Sequence, residues 1–302
     1  MKIGDREIWP GSPAYIVAEI GINHNGDSVL ARELIEAAAE AGADAVKFQL
    51  RVLPDSIPIH MMERRKDTPW GEMSYYEYKK RLEFSSHHYI NEFRPLATVL
   101  CLDLGVSVWG RQAAFVAANM HDFEATGSYQ SIFDFLKIPS AYMRDDRTLH
   151  MVATRDIPFF WSTGMHTTVE IQATMGDFAR YHADNWGVLY CNSQYPTPNK
   201  HLNLRAMKHW IDAQLFRPNP VGYSGHEVGL ATTLAARAMG AVIIERHITM
   251  DRAMWGSDQA ASVEPQGFAR LVRDIRSIEE ALGSWSKIVY LEELEKRKEI
   301  LP

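Results

Sequence analysis

Eight short apolar runs, rich in β-branched residues and each closed by polar residues or glycine, recur along the chain. They span Tyr15 to Gly21, Asp44 to Gln49, Gly105 to Gly110, Asp134 to Ser140, Pro158 to Gly164, Trp186 to Ser193, Pro220 to His226 and Ala241 to Ile248. Near-continuous rather than alternating hydrophobicity predicts strands buried on both faces, the mark of a parallel sheet. Helix-period stretches separate most of them. Between Ser28 and Ala41, Leu30, Leu34 and Ala38 recur at helical spacing while Arg32, Glu33, Glu36 and Glu40 occupy other faces, and Gly42 supplies the C-cap. Strand and helix alternating eight times predict a closed parallel (β/α)8 TIM barrel. An open doubly wound sheet is the competing arrangement, and the eightfold count favours closure.

Two regions break the rhythm. Arg51 to Leu104 exceeds one crossover, with a polar loop from His60 to Trp70 and a helical segment from Met73 to Leu104 interrupted near Pro95. His121 to Gln130 reads as a surface loop. After Gly283 the tail ends in a charged helix, Leu291 to Lys298, of the kind that presents a solvated face. No Pro- or Ser-rich linker divides the chain, so a single barrel domain over residues 1–302 with a helical tail is expected.

Composition narrows the function. The 302 residues are 46% apolar and 23% charged, as in ordinary globular domains. A formal net charge of -6 and the lack of a basic run remove the electrostatic footprint of nucleic-acid binding. Cys101 and Cys191 form neither a disulfide framework nor a CxxC pair, which fits a reducing compartment. The polar N-terminus is no signal peptide, and no apolar run reaches the roughly 18 residues a membrane span needs. A soluble, cytoplasmic protein with no membrane partner is expected.

The strand ends carry the candidate chemistry, because in this fold catalysis sits where strands pass into βα loops. The first supplies Glu19, the second Lys47 and Gln49, which alternation places on one face. The fourth offers Lys137 and Ser140, the fifth Ser162, and the sixth Ser193 and Tyr195. The seventh gives Ser224 and His226, and the eighth Glu245 and His247. Two lysines among hydroxyl and amide donors suit a substrate bearing phosphate and carboxylate, since charge-assisted hydrogen bonds are the stronger ones. Two histidines on neighbouring strands suit one divalent metal with open positions for water and substrate, Mn, Fe, Co or Zn in preference to Ca. Plainer readings exist. Either lysine can serve only to pair with Glu19 or Glu245, a lone histidine is more often a hydrogen-bonded core residue, and Ser162-Thr163-Gly164 can be turn chemistry. His87 and His88 read as structural.

Taken together these motifs resemble the N-acetylneuraminate (sialic acid) synthases. The resemblance is carried by Ala18-Glu19-Ile20-Gly21-Ile22-Asn23-His24-Asn25-Gly26, Ala43-Asp44-Ala45-Val46-Lys47-Phe48-Gln49, Lys137-Ile138-Pro139-Ser140, Ser162-Thr163-Gly164-Met165 and Tyr195-Pro196-Thr197-Pro198. Its most specific parts are Gly222-Tyr223-Ser224-Gly225-His226-Glu227 and Glu245-Arg246-His247-Ile248-Thr249-Met250-Asp251, and Gly256-Ser257-Asp258-Gln259-Ala260-Ala261-Ser262 closes it. The resemblance implies condensation of phosphoenolpyruvate with the aldehyde of an N-acetylmannosamine-type sugar. It implies that His226 and His247 hold a divalent ion, Mn2+ first, with Mg2+ or Co2+ as substitutes. Lys47, Lys137, Ser140, Ser162, Ser193 and Ser224 would bind phosphoenolpyruvate, Glu19 would be the acid/base group, and Gln49, Tyr195 and Asp258 would face the metal or sugar.

The chain departs from the family pattern in three places. Many members carry a small antifreeze-like domain after the barrel, and this sequence stops at Pro302 without it. Tyr142 stands where the family places an acidic residue. The third strand reads Ser107-Val108-Trp109-Gly110 instead of Ser-Thr-Pro-Phe. A barrel without a lid of its own leaves room for a homo-oligomer. A Schiff-base aldolase using Lys47 or Lys137, or a non-catalytic sugar- or phosphate-binding relative, are the alternatives.

Overall fold

A computed structural model describes residues 1–122, 127, 130–284 and 286–301. Eight parallel strands close on themselves in chain order: β1 (Tyr15–Gly21), β2 (Ala45–Leu50), β3 (Asp103–Val108), β4 (Phe135–Ile138), β5 (Phe159–Ser162), β6 (Trp186–Cys191), β7 (Val221–Gly225) and β8 (Ile243–His247), with β8 pairing back to β1. The crossover helices are α1 (Ser28–Glu40), α2 (Arg94–Val99), α3 (Arg111–Ala118), α4 (Asp146–Ala153), α5 (Thr168–Arg180), α6 (Leu204–Asp212), α7 (Ala231–Ala238) and α8 (Pro265–Leu282). The predicted (β/α)8 TIM barrel is the observed fold.

Strand parity builds two cores. Outward residues such as Ile16, Ala18, Val46, Phe48, Leu104 and Val106 pack on the helices through Leu34, Ile35, Phe93 and Ala97. Inward residues Tyr15, Val17, Ala45, Phe135, Phe160, Leu189 and Ile243 fill the lower barrel, with Ile3 and Ile8 of the N-terminal hairpin beneath them. The inward position of β3 at this level is Gly105, where any Cβ would collide with the Phe135 ring. One step further along each strand the inward positions turn polar. The packed floor therefore ends where the site begins.

The long second crossover differs from its expected form. Instead of a polar loop, residues 59–74 make a short helix, Ile59–Met62, and an antiparallel hairpin pairing Arg65–Thr68 with Gly71–Ser74. A helix, Tyr75–Leu82, follows, started by a capping box between Ser74 and Glu77. The chain then breaks at 83–85 and runs from Ser86 through a π turn, Tyr89–Phe93, directly into α2. The π turn sits where Pro95, lacking an N–H, cannot close the ordinary ladder, so the helix adjusts instead of stopping. Most of the loop expected over 121–130 lies outside the described residues. The tail helix α9 (Leu291–Ile300) is exposed along its length, as its charge pattern predicts.

Candidate active site

Above the apolar floor, inward side chains from six strands form one connected polar layer. Lys47 is fully buried, pairs with Glu19, donates to Ser107 Oγ at 2.6 Å and lies 3.5 Å from Glu245 Oε2. Lys137 Nζ donates to Glu245 Oε1 at 2.5 Å, and Ser224 Oγ donates to the same oxygen at 2.9 Å. Gln49 Nε2 donates to Glu19 Oε1 at 3.1 Å and is itself held by Arg51, whose guanidinium reaches Gln49 Oε1 at 2.6 Å, Glu83 at 3.2 Å and the Trp109 ring at 4.1 Å. The layer exists because each residue shares the inward parity of its strand and the registers align, Glu19 opposite Lys47 and Ser107 opposite both Gln49 and Lys137.

Burial and pairing compete over every charge here. Burial raises the Glu19 pKa against the opposing pull of Lys47. For Glu245 burial acts in the same direction, but Lys137 and Lys47 outweigh it and hold the carboxyl well below the usual range. Burial lowers Lys47. Lys137 is buried too, yet Glu245 and Glu19 carry its pKa upward and keep it an ammonium. A protonatable carboxyl therefore sits beside a fixed carboxylate, with two amines close by.

His226 and His247 stand above this layer with ring centroids 5.5 Å apart. Tyr195, half exposed at the mouth, stacks on His226 at 4.0 Å and its hydroxyl meets Nε2 at 2.9 Å, while Asn192 O meets Nδ1 at 2.6 Å. Asp258 Oδ2 lies 3.6 Å from His247 Nδ1. Burial pushes His226 down to about 3 and His247 to about 4, so both imidazoles are neutral at pH 7, the metal-binding form. Among the described residues no three His, Cys, Asp or Glu side chains already make a metal cage.

A third group gathers at the ends of β4, β5 and β6. A Cβ on Gly164 would collide with Ser193 Oγ and lie 2.9 Å from Ser140 Oγ, so that glycine keeps a small space between two hydroxyls. Ser140 Oγ is 3.3 Å from Cys191 Sγ, and Ser162 Oγ is buried without a hydrogen-bond partner. Every predicted site residue thus falls within these three adjoining groups at the C-terminal end of the barrel. Ser107, Arg51 and Trp109 were not among them. Ser107 shares the inward parity of Gly105 and was legible from alternation, whereas Arg51 joins the site through Gln49 and Glu83, and Trp109 through its stacking on Arg51.

Cations locked to carboxylates beneath a neutral imidazole pair, on the catalytic face of a TIM barrel, define an enzyme built for an anionic substrate. The chain belongs to the NeuB family, whose model matches residues 34–287. It is 35% identical over 283 residues to the N-acetylneuraminate-9-phosphate synthase of Homo sapiens, covering 92% of this chain and 74% of that one. It is also 35% identical to the N,N'-diacetyllegionaminic acid synthase of Legionella pneumophila, covering 90% and 74%. A crystal structure of N-acetylneuraminic acid synthetase from Leptospira borgpetersenii superposes with a TM-score of 0.81 at 26% identity, over 99% of this chain and 96% of that one.

Proposed function

We propose that this enzyme joins phosphoenolpyruvate to the open-chain aldehyde of an N-acetylmannosamine-type sugar, giving a sialic acid-like nonulosonate and inorganic phosphate. C3 of the enol forms the new bond to the aldehyde carbon, whose oxygen takes up a proton. Water adds at C2 and gives up a proton, and the C2–O bond to phosphate breaks. Lys47 and Lys137, with Ser140, Ser162, Ser193 and Ser224, would hold the two anionic ends of phosphoenolpyruvate, and Ser107 orients Lys47. Glu19, whose raised pKa suits both giving and taking a proton, would be the acid/base group at C2. Gln49, Tyr195 and Asp258 would meet the sugar.

The donor chemistry fits a divalent metal ion, Mn2+ first. Two neutral imidazoles meet edge to face with ring centroids 5.5 Å apart, and His247 Nδ1 is buried without a hydrogen-bond partner. His226 and His247 would hold the ion, which when bound would polarise the aldehyde oxygen. The chain's own contribution is to keep the enol and the aldehyde fixed in attack distance with water controlled.

The buried Glu19–Lys47–Glu245–Lys137 network directly beneath the histidine pair carries this reading, because it puts anion-holding and electrophile-activating groups within one strand end of each other. The test is phosphate release from phosphoenolpyruvate. It should need an N-acetylhexosamine, stop on chelation, return with Mn2+, and be abolished in His226→Ala and His247→Ala without loss of folded structure. Phosphate release independent of the sugar, or full activity after chelation, contradicts it. Reductive trapping with borohydride should leave no lysine adduct; a stable adduct on Lys47 or Lys137 would favour the Schiff-base aldolase instead.

A further inference from the structure

One alternating row of β2 reaches toward the Glu19 carboxyl. Lys47, Gln49 and Arg51 share its parity, the third standing one residue beyond the strand end. Lys47 pairs with Glu19 Oε2, and Gln49 Nε2 donates to Glu19 Oε1 at 3.1 Å, so each carboxyl oxygen meets a donor from that row. Glu19 keeps this posture only while the Gln49 amide presents its NH2. The two ends of a side-chain amide are nearly equal in size, one a donor and one an acceptor, and turned over it would set its oxygen against that of Glu19. Arg51 decides between the two. A guanidinium has five donors and no acceptor, and Nη2 donates to Gln49 Oε1 at 2.6 Å, which commits the amide oxygen to Arg51 and the NH2 to Glu19.

Arg51 is itself built in. It is 6% exposed. Its backbone N–H donates to Glu83 Oε2 at 2.9 Å and its Nη1 to Glu83 Oε1 at 3.2 Å, while the guanidinium carbon lies 4.1 Å from the centre of the Trp109 ring. Glu83 closes the helix Tyr75–Leu82, and Trp109 follows β3. Residues from two different crossovers therefore fix one planar cation. Pairing with Glu83 would tie down the second crossover by itself; the added bond to Gln49 is what carries that rigidity to Glu19.

We propose that Arg51 is a positioning residue for Glu19, acting through Gln49 by holding that amide with its NH2 toward the carboxyl. This rests on the condensation reading above, in which Glu19 is the acid/base group at C2. The experiment measures phosphate release from phosphoenolpyruvate, with N-acetylmannosamine or its 6-phosphate as acceptor, in wild type, Arg51→Gln and Arg51→Lys, and repeats Arg51→Gln in a Gln49→Met background. Arg51→Gln keeps a polar partner for Glu83 but can accept as well as donate, so Gln49 is free to turn over. Its kcat should fall about 10- to 100-fold, as for a displaced catalytic group, while KM for phosphoenolpyruvate stays within about twofold. Arg51→Lys still offers Gln49 only donors and should recover most of kcat. In the Gln49→Met background Arg51→Gln should cost less than about threefold more, because the relay is already broken. Wild-type kcat in Arg51→Gln, equal loss in Arg51→Gln and Arg51→Lys, or the full Arg51→Gln loss persisting beside Gln49→Met, overturns the assignment while leaving the condensation intact. Failure of wild type to turn over with either sugar overturns the condensation reading and the assignment with it.

Discussion

Charge balance inside the barrel decides what each polar side chain can do. Lys137 is held as an ammonium by Glu245, at 2.5 Å, and under the proposed function would be the firmer of the two anion contacts. Removing it by Lys137→Ala leaves Glu245 with Lys47 and the Ser224 hydroxyl and, under the proposed function, takes away one charged hydrogen bond to the substrate, so KM for phosphoenolpyruvate should rise about 10- to 100-fold. Steady-state kinetics check this, and an unchanged saturation curve contradicts the assignment. At this scale the sequence was informative wherever strand alternation applied, because Glu19, Lys47, Lys137, Ser224 and Glu245 must point inward if their neighbours point to the helices. It was silent on Arg51, which lies beyond the end of β2 and owes its place to Gln49, Glu83 and Trp109. The plain reading of the lysines as partners of Glu19 and Glu245 also describes these contacts correctly. Under the proposed function the same atoms would serve both pairing and substrate binding.

Loops shape the site through the residues that have no side chain. Gly21 stands at a register shift of β1 with φ of 59°, and a Cβ there would press within 3.3 Å of Gln49, Glu19 and His247 at once. Gly164, just beyond β5, leaves open the space that the Ser193 and Ser140 hydroxyls border. Gly164→Ala should displace both hydroxyls and raise KM for phosphoenolpyruvate severalfold or more, with circular dichroism unchanged, since the substitution touches loop side chains and leaves the strands alone. An unaltered KM would show that those hydroxyls do not meet the substrate. The second crossover was the least legible element. Its hairpin carries charged residues on both strands, Arg65-Lys66-Asp67 and Glu72, so no apolar alternation marks it, and what orders it is the packing of Trp70, Met73 and Tyr75 around Ile22 and Tyr78.

The whole molecule pays for its buried imidazoles in acid stability. His24, against Phe84 at 4.4 Å, is pushed down to about 3 by burial, and His226 and His247 to about 3 and about 4. A histidine in the unfolded chain titrates near about 6.5. Below that value the unfolded state binds protons that the folded state refuses, so stability falls with pH by up to about 1.4 kcal/mol per pH unit for each histidine. Glu19, raised in the fold, works in the other direction as a single group. The melting temperature of the metal-free protein should drop steadily from pH 6.5 to 4.5, and a flat profile would mean that these rings accept protons in place. No helix among the described residues is long and apolar enough to cross a membrane. The sequence by itself determined the eight strands, their alternation with helices and the inward polar positions, because burial on both faces of a parallel strand writes a local apolar run and parity follows from it. Only the tertiary structure decided which polar residues meet across the barrel and how Tyr195 covers His226. Those are distances between residues far apart in the chain, and no local pattern records them.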